Sequence, residues 1–416
     1  MNNKPVWQFP WLYKESFIFV AGIIIVGFLL QFIVGKFDFS LLQYPVNLTF
    51  CLLISAALIV SIPFLHKPFI VWLSSIPLAI ALLCGCLFLG LGMGFVPQET
   101  QGLRWTNLAK LGLTHMTSSW PFVLIYFFTL VSLGLLCVRR LKCCALNTRQ
   151  ICFLLNHFGL WFLLLCAGLG YSEIRRYLME VDIGQTQAQA YEKRGEQPVA
   201  LPIAIRLNQF SMDNHEPKLY IAHNETGEPL PDISQPYFYQ INMKMPDGKL
   251  GDWQVHVEEY IPKAVRTENN AYRAWPVAGS IAAAWITATH MPTGKKVKGW
   301  VSHKNMAQIY STLALDEHYS LVMAVPEPKK FQSDVTIYTP DGKALDTQLA
   351  VNAPAKVGHW YIYQFGYDAA AREQSSYSTF ELVYDPWIYP VYFGFALMGL
   401  GALGLIWTGR KKVIKK

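Results

Sequence analysis

One histidine stands inside an otherwise apolar stretch of the sequence. His157 lies in residues 151–176, ICFLLNHFGLWFLLLCAGLGYSEIRR, whose apolar part is long enough to cross a membrane as a helix. A titratable side chain is costly at that depth, so it is a candidate functional residue. Imidazole is a frequent metal ligand. Two interpretations stay open: a histidine that hydrogen-bonds a neighbouring helix, and an axial ligand of haem iron.

The surroundings of His157 define what a haem site would require. The histidine lies six residues into its run, roughly 9 Å from the helix start at about 1.5 Å per residue. Trp161 follows one turn later on the same side, where it could line a pocket. One histidine fills a single axial position, and no other residue of this chain offers an obvious second ligand. A haem bound here would need a ligand from another subunit.

Two arginines follow the same run. Arg175 and Arg176 stand just beyond its apolar part, close to Glu173. One interpretation is that their side chains extend to the membrane interface or pair with Glu173. The other is that they contact an acidic group such as a haem propionate. Both interpretations remain open at this point.

Long apolar runs set the architecture around these residues. Each is about 18 residues or longer, enough to span a bilayer with some tilt. The six runs are residues 17–34, 46–65, 69–96, 118–138, 151–171 and 387–407. The long segment between the fifth and sixth runs is polar. We therefore predict an α-helical polytopic membrane protein with six transmembrane helices and one inserted β-rich extracytoplasmic domain.

Basic residues predict the orientation of this chain. The segment between the fourth and fifth runs holds Arg139, Arg140, Lys142 and Arg149 without an acidic residue, and the C-terminus is similarly basic. Short cytoplasmic loops are enriched in Lys and Arg. Both termini are therefore predicted inside, and residues 172–386 outside. The formal net charge of +7 comes largely from these topology signals, so it does not require a nucleic-acid partner.

The inserted segment has the pattern of an antiparallel β fold. Short aromatic and β-branched runs alternate with turn signals such as MPDGK at 245–249 and TPDGK at 339–343. We predict a β-sandwich or a similar fold, a connecting segment over 172–199 and a short helix over 304–316. All eight cysteines lie outside residues 172–386, so this domain is predicted to fold without disulfides.

Several segments, in order, resemble the CcsB/ResB family of cytochrome c biogenesis. NHFGLWFLLLCAGLGYSEIRRY, LPIAIRLNQF and HEPKLYI are similar to that family, as are the closing GHWYIYQFGYD and STFELVYDPWIYPVYFGFALMGLGALGLIW. The resemblance covers about residues 70–408. The predicted domains are an extra N-terminal hairpin (1–68), helices three to five (69–171), the periplasmic β-rich domain (172–386), and the last helix with its basic tail (387–416).

The resemblance implies a haem-handling subunit of a System II cytochrome c synthase in a bacterial cytoplasmic membrane. Such a protein helps to deliver haem b outward for attachment to the CxxCH thiols of apocytochromes c. A CcsA/ResC-type membrane partner carries the tryptophan-rich haem motif, which this chain lacks. The chain thus looks like the unfused CcsB half, with no complete catalytic site.

Residue by residue, the resemblance carries over one ligand. His157 matches the family's membrane histidine, which shares a haem with a histidine of the partner. A thioredoxin-like reductant would keep the apocytochrome thiols reduced. The alternatives are a membrane-anchored structural or sensory protein whose β-domain binds an envelope partner or ligand, and a transporter component.

Overall fold

A computed structural model describes residues 7–98, 106–143, 145, 147–192, 197–277, 279–305 and 307–409. The chain divides into two compact units. The membrane unit comprises Met1–Arg175 and Tyr384–Lys416, and the β unit comprises Arg176–Val383.

Apolar helices form the membrane unit. They are α1 (Tyr13–Val34), α2 (Val46–Val60), α3 (Pro68–Leu73), α4 (Ile76–Phe95), α5 (Thr106–Lys110), α6 (Trp120–Cys143), α7 (Thr148–Gly170) and α8 (Ile388–Thr408). Within the described residues, five are long and apolar enough to cross a membrane: α1, α4, α6, α7 and α8. The chain is therefore a membrane protein with a β-rich domain.

Two of the six predicted runs fold differently from a single long helix. The second run forms the 15-residue α2, which a 3₁₀ turn at Ile62–Phe64 follows. The third run is divided between α3 and α4 at Ser74 and Ser75, because Pro77 fits the first turn of a helix but not its interior. The count of six spans and the predicted orientation remain predictions.

Glycines allow α7 and α8 to pack closely. A Cβ atom on Gly401 would lie 2.3 Å from the backbone nitrogen of Asn156. A Cβ atom on Gly159 would lie 2.5 Å from the backbone nitrogen of Met398. The Asn156 amide donates a 3.0 Å hydrogen bond to the Met398 carbonyl. Small residues and interhelical hydrogen bonds of this kind hold helices together in lipid.

Gly401→Ala should destabilise the membrane unit by about 1–3 kcal/mol, the usual cost of overpacking. The added methyl would meet the α7 backbone, whereas Gly399→Ala, the matched control, has nothing within 4 Å of its Cβ position. Thermal unfolding of the purified chain in detergent, followed by tryptophan fluorescence, compares the two variants. Equal midpoints would contradict this account of the α7–α8 contact.

The described residues of the β unit form three sheets. In chain order the strands are β1 (Arg175–Asp182), β2 (Thr186–Glu192), β3 (Pro198–Asn214), β4 (Lys218–His223), β5 (Tyr239–Gln240), β6 (Asp247–Leu250), β7 (Trp253–Arg266), β8 (Tyr272–Ala274), β9 (Ile281–His290), β10 (Lys296–Ser302), β11 (Leu313–Ala314), β12 (Tyr319–Met323), β13 (Pro328–Tyr338), β14 (Ala344–Ala350), β15 (Ala355–Val357), β16 (Trp360–Tyr367) and β17 (Tyr377–Tyr384). The sheet orders are β14-β13-β3-β2-β1-β17-β16-β15, β10-β9-β7-β6 with β8 paired to β7, and β11-β12-β4-β5.

Two main cores stabilise these sheets. The eight-stranded sheet buries Met179, Ile205 and Phe380 within one cluster. The two smaller sheets share a second cluster, to which Ile221 and Val255 belong, and this is how the layers of a sandwich pack. Side chains alternate between faces along a strand, so each core receives every second residue.

Two local predictions in this unit are wrong. Residues 172–199, predicted as a connecting segment, form β1, β2 and the start of β3. The charged and Gln-rich composition hides the alternation, because Met179 and Val181 are buried while Glu180 faces solvent. The helix predicted over 304–316 is absent from its described residues, which form a loop and β11.

His303 is a neutral histidine by geometry. Its Nε2 accepts a 3.0 Å hydrogen bond from the Ala282 N–H, and its Nδ1 donates to the Lys304 carbonyl at 3.0 Å. Burial lowers the pKa of His303; the Lys304 carbonyl opposes this effect and the Arg372 charge adds to it. Protonation would remove the acceptor that holds the start of β9.

The β unit should therefore lose stability in acid. The pKa of folded His303 lies below its ordinary 6.5, so the unfolded chain binds more protons in the interval between the two values. The stabilisation is complete above pH 6.5 and is lost as the pH falls through the folded value. His303→Gln keeps one donor and one acceptor without titrating.

Hydrogen exchange of the β9 amides, corrected for the intrinsic rate, measures this effect. In the parent chain, the β9 amides should open more often at pH 5.5 than at pH 7.5. In the glutamine variant, the ratio between the two pH values should be smaller. The same pH ratio in both proteins would contradict the role assigned to His303.

Candidate functional site

His157 lies in the first half of α7 and is half-buried. Its Nδ1 is 3.0 Å from the carbonyl oxygen of Phe153, one turn earlier. A carbonyl can only accept, so Nδ1 carries the proton and donates it. In the neutral ring, Nε2 then presents its lone pair. Among the residues that the structure describes, none donates a hydrogen bond to Nε2.

This hydrogen-bond pattern suits a metal ligand. Histidines that bind metals usually donate their other ring N–H to a carbonyl or a carboxylate, which fixes the tautomer and the ring orientation. The polar side chain that bonds the neighbouring helix is Asn156, whose amide reaches α8. His157 bonds within its own helix, which leaves the far edge of its ring available.

Aromatic stacking further orients the imidazole. The His157 and Phe153 ring centroids are 3.8 Å apart, with an angle of 22° between the planes. The guanidinium carbon of Arg140 lies 5.0 Å from the Phe153 ring centroid. Sequence reasoning did not select Phe153 or Arg140, although the i−4 spacing of Phe153 from His157 could have indicated the first contact. The stack and the hydrogen bond restrict ring rotation together.

Trp161 belongs to the interior of the helix bundle. It is 7% exposed, and its Nε1 is buried without an acceptor among the described residues. A Cβ on Gly134 of α6 would come within 2.9 Å of that nitrogen and 2.7 Å of Leu58 Cδ1. Trp161 of α7 therefore lies close to α2 and α6, and its role in a haem pocket stays a prediction.

The two arginines after α7 have separate partners. Arg175 Nη1 donates to the carbonyls of Ser172, at 2.9 Å, and Ile174, at 3.2 Å. Within the β unit, Arg176 Nη1 lies 3.7 Å from Glu381 Oε1. These contacts account for both side chains locally, and their proposed contact with propionates is untested.

Glu173 joins three distant parts of the membrane unit. Its Oε1 accepts from the Tyr44 N–H at 3.0 Å and from the Asn47 amide at 2.6 Å, and its Oε2 accepts from the Trp387 indole at 2.7 Å. Trp387 also packs on Gly170, where a Cβ would lie 2.6 Å from the Trp387 Cβ. The end of α7 is thereby fixed beside the starts of α2 and α8.

Glu173→Ala should destabilise the membrane unit by about 1–3 kcal/mol, because its donors lose their acceptor. Trp387→Phe removes the indole donor and reduces the ring that packs beside Gly170. A double-mutant cycle on thermal midpoints tests the contact: the effect of Trp387→Phe should shrink when Glu173 is already alanine. Fully additive effects would show that the two side chains are not coupled.

Comparisons with known proteins bear on the β unit first. A sequence profile of the ResB-like family matches residues 306–376. No curated protein sequence matches the chain. A solved structure described as "Cytochrome c Heme Lyase CcmF" matches at 12% identity with a TM-score of 0.24, covering 96% of this chain and 46% of that one. The chain thus spans less than half the length of that protein, and a TM-score of this size does not establish a common fold.

The family match contains one segment that carries the resemblance, GHWYIYQFGYD at 358–368, and lies between the others. NHFGLW begins at Asn156 in α7, before the matched residues, and DPW ends at Trp387, after them. The structure gives physical reasons for both motifs, because Asn156 and Gly159 contact α8 and Trp387 packs on Gly170. Residues 306–376 of this chain are thus similar to the ResB-like family, and the match covers part of the β unit.

Proposed function

We propose that this protein is the haem-handling subunit of a bacterial cytochrome c synthase. It would help to deliver haem b across the cytoplasmic membrane for attachment to the CxxCH thiols of apocytochromes c. The ResB-like match over residues 306–376 and the five apolar helices of the described residues support the setting. The single observation that carries the proposal is the geometry of His157, whose Nδ1 is tied to the Phe153 carbonyl while Nε2 is left with its lone pair.

Haem is the cargo, and His157 Nε2 is the proposed axial ligand of its iron. The Nδ1–H bond to Phe153 raises the basicity of the ring and keeps it in one orientation. The second axial position would be filled by a histidine of a CcsA/ResC-type membrane partner. In this arrangement neither subunit alone holds the haem by two protein ligands.

The other candidate residues would act further from the iron. The buried indole N–H of Trp161, unpaired among the described residues, could donate to a polar edge of the haem. His157 and Gly170 are 13 residues apart in α7, about 20 Å at 1.5 Å per residue. Arg175 and Arg176 lie beyond Gly170, so they would meet propionates only after the haem has moved along the membrane unit.

The β unit would face the periplasm, where the thioether bonds form. Residues 172–386 contain no cysteine. This part of the chain therefore offers no thiol to compete in disulfide exchange with the apocytochrome, whose thiols a thioredoxin-like protein would keep reduced.

His157→Ala should reduce haem occupancy of the purified two-subunit complex by about tenfold or more, because one axial ligand is lost. His66→Ala is the matched control, since His66 is exposed and stands outside the long helices. The Soret absorbance per complex measures occupancy. Added imidazole should partly restore the band in His157→Gly, because the free base can occupy the vacated position.

Unchanged occupancy and an unchanged spectrum in His157→Ala would overturn the ligand assignment. A complex that never copurifies with haem would instead favour a structural or sensory membrane protein whose β unit binds an envelope partner.

A further inference from the structure

Two neighbouring cavities open on the β unit. Their volumes are about 380 and 390 Å³, and Lys304 and Val325 line both. The two cavities adjoin at these residues, and together we call them the Lys304 groove. Its principal lining residues are Tyr220, Tyr310, Val322, Val325, Lys304 and Arg372.

The floor of one half of the groove is a sheet face. Tyr220 pairs with Val322 and Ala222 pairs with Ser320 in the ladder between β4 and β12. Every second residue of a strand points to the same face, so these side chains line the groove together. From Ser320 to Ala324 the floor extends about 13 Å at about 3.3 Å per residue, and the groove continues beyond to Arg372. This length accommodates an extended chain of several residues.

The lining combines apolar, cationic and other polar groups, and the Glu373 carboxylate, in the second cavity, accepts a hydrogen bond from the Asn214 amide. Tyr310 is 48% exposed and Val325 is 40% exposed, so apolar surface is available to a partner. Lys304 is exposed and forms no ion pair within the described residues. Apolar surface beside an unpaired ammonium group complements a segment that carries both apolar side chains and a carboxylate.

Arg372 holds a costly backbone conformation at the polar end of the groove. Its φ of 55° lies in the left-handed region, which residues other than glycine rarely adopt. The Arg372 N–H donates to the Asp368 carbonyl at 2.7 Å, and its guanidinium donates to the Pro326 carbonyl. Strained positions of this kind cluster at binding sites.

The segment that matches the ResB-like family supplies much of this groove. Residues 306–376 include Tyr310, the 320–325 wall and the 370–374 loop. Lys304 and Tyr220, which also line the groove, lie outside the matched residues.

We propose that the Lys304 groove binds an extended polypeptide segment, with a carboxylate at Lys304 and apolar side chains against Tyr220 and Tyr310. The mixed lining favours a peptide over a lipid chain, which would need an apolar lining throughout. If the proposed function holds, this polypeptide is the unfolded apocytochrome, and in that respect the inference rests on the proposed function.

Site-specific photocrosslinking on the full chain in lipid nanodiscs tests the location. p-Benzoylphenylalanine replaces Tyr310. As a control it replaces Tyr338, an exposed residue at the end of β13. The probes are two short unstructured peptides, one with a central Asp flanked by Leu and Phe, the other with Lys in place of Asp. The Asp peptide should crosslink at position 310, more strongly than the Lys peptide, and neither should crosslink at 338.

Affinity measurements test the charge. Lys304→Glu should weaken binding of the fluorescently labelled Asp peptide about tenfold, as expected for loss of one charge-assisted contact, and Lys304→Gln by less. Lys249→Glu, which changes an exposed lysine on β6, should leave it unchanged. Equal losses in both Glu variants, or no binding to the parent chain, would overturn the proposal. Crosslinking of residue 310 to nanodisc lipid in place of peptide would also overturn it.

The haem spectrum separates this inference from the proposed function. Lys304→Glu should leave the Soret band of the two-subunit complex unchanged, because the groove lies in the β unit and His157 in the membrane unit. Normal haem with no peptide binding would reject the groove alone. Peptide binding that survives in a chain without haem would support the groove while rejecting the haem assignment.

Discussion

The close approach of α7 and α8 is the constraint on which the rest of the structure depends. The β unit is inserted between these two helices, so both ends of the insertion must return to the same place. Gly159 and Gly401 bring the helix backbones together, and Glu173 and Trp387 tie their ends. Within the β unit, β1 and β17 are neighbours in one sheet, so that unit also brings its own ends together.

The polar groups inside the membrane unit are constrained as well. Hydrocarbon offers no hydrogen-bond partners, so each such group must find one within the protein. Asn156 bonds α8, and Glu173 accepts from three donors. His157 satisfies one nitrogen within its own helix and leaves the other open. That difference between adjacent residues is what separates a packing contact from a candidate ligand.

Hydropathy and residue type predicted the apolar helices and the β-rich insertion, because both depend on patterns along the chain. They also selected His157, since an imidazole in an apolar run is conspicuous. They did not predict the contacts of Glu173, whose partners at Tyr44, Asn47 and Trp387 are far away in sequence. Composition did not predict the strands within residues 172–199, because the solvent-facing polar side chains there outnumber the buried ones. The tautomer of His157 required its side-chain position.

The contact between Gly170 and Trp387 brings the two ends of a long insertion together. The two residues flank an insertion of more than 200 residues, yet a Cβ on one would lie 2.6 Å from the other. A short turn would be enough to reconnect α7 and α8 if the β unit were removed. The contact thus holds the end of α7 and the start of α8 together on either side of the insertion.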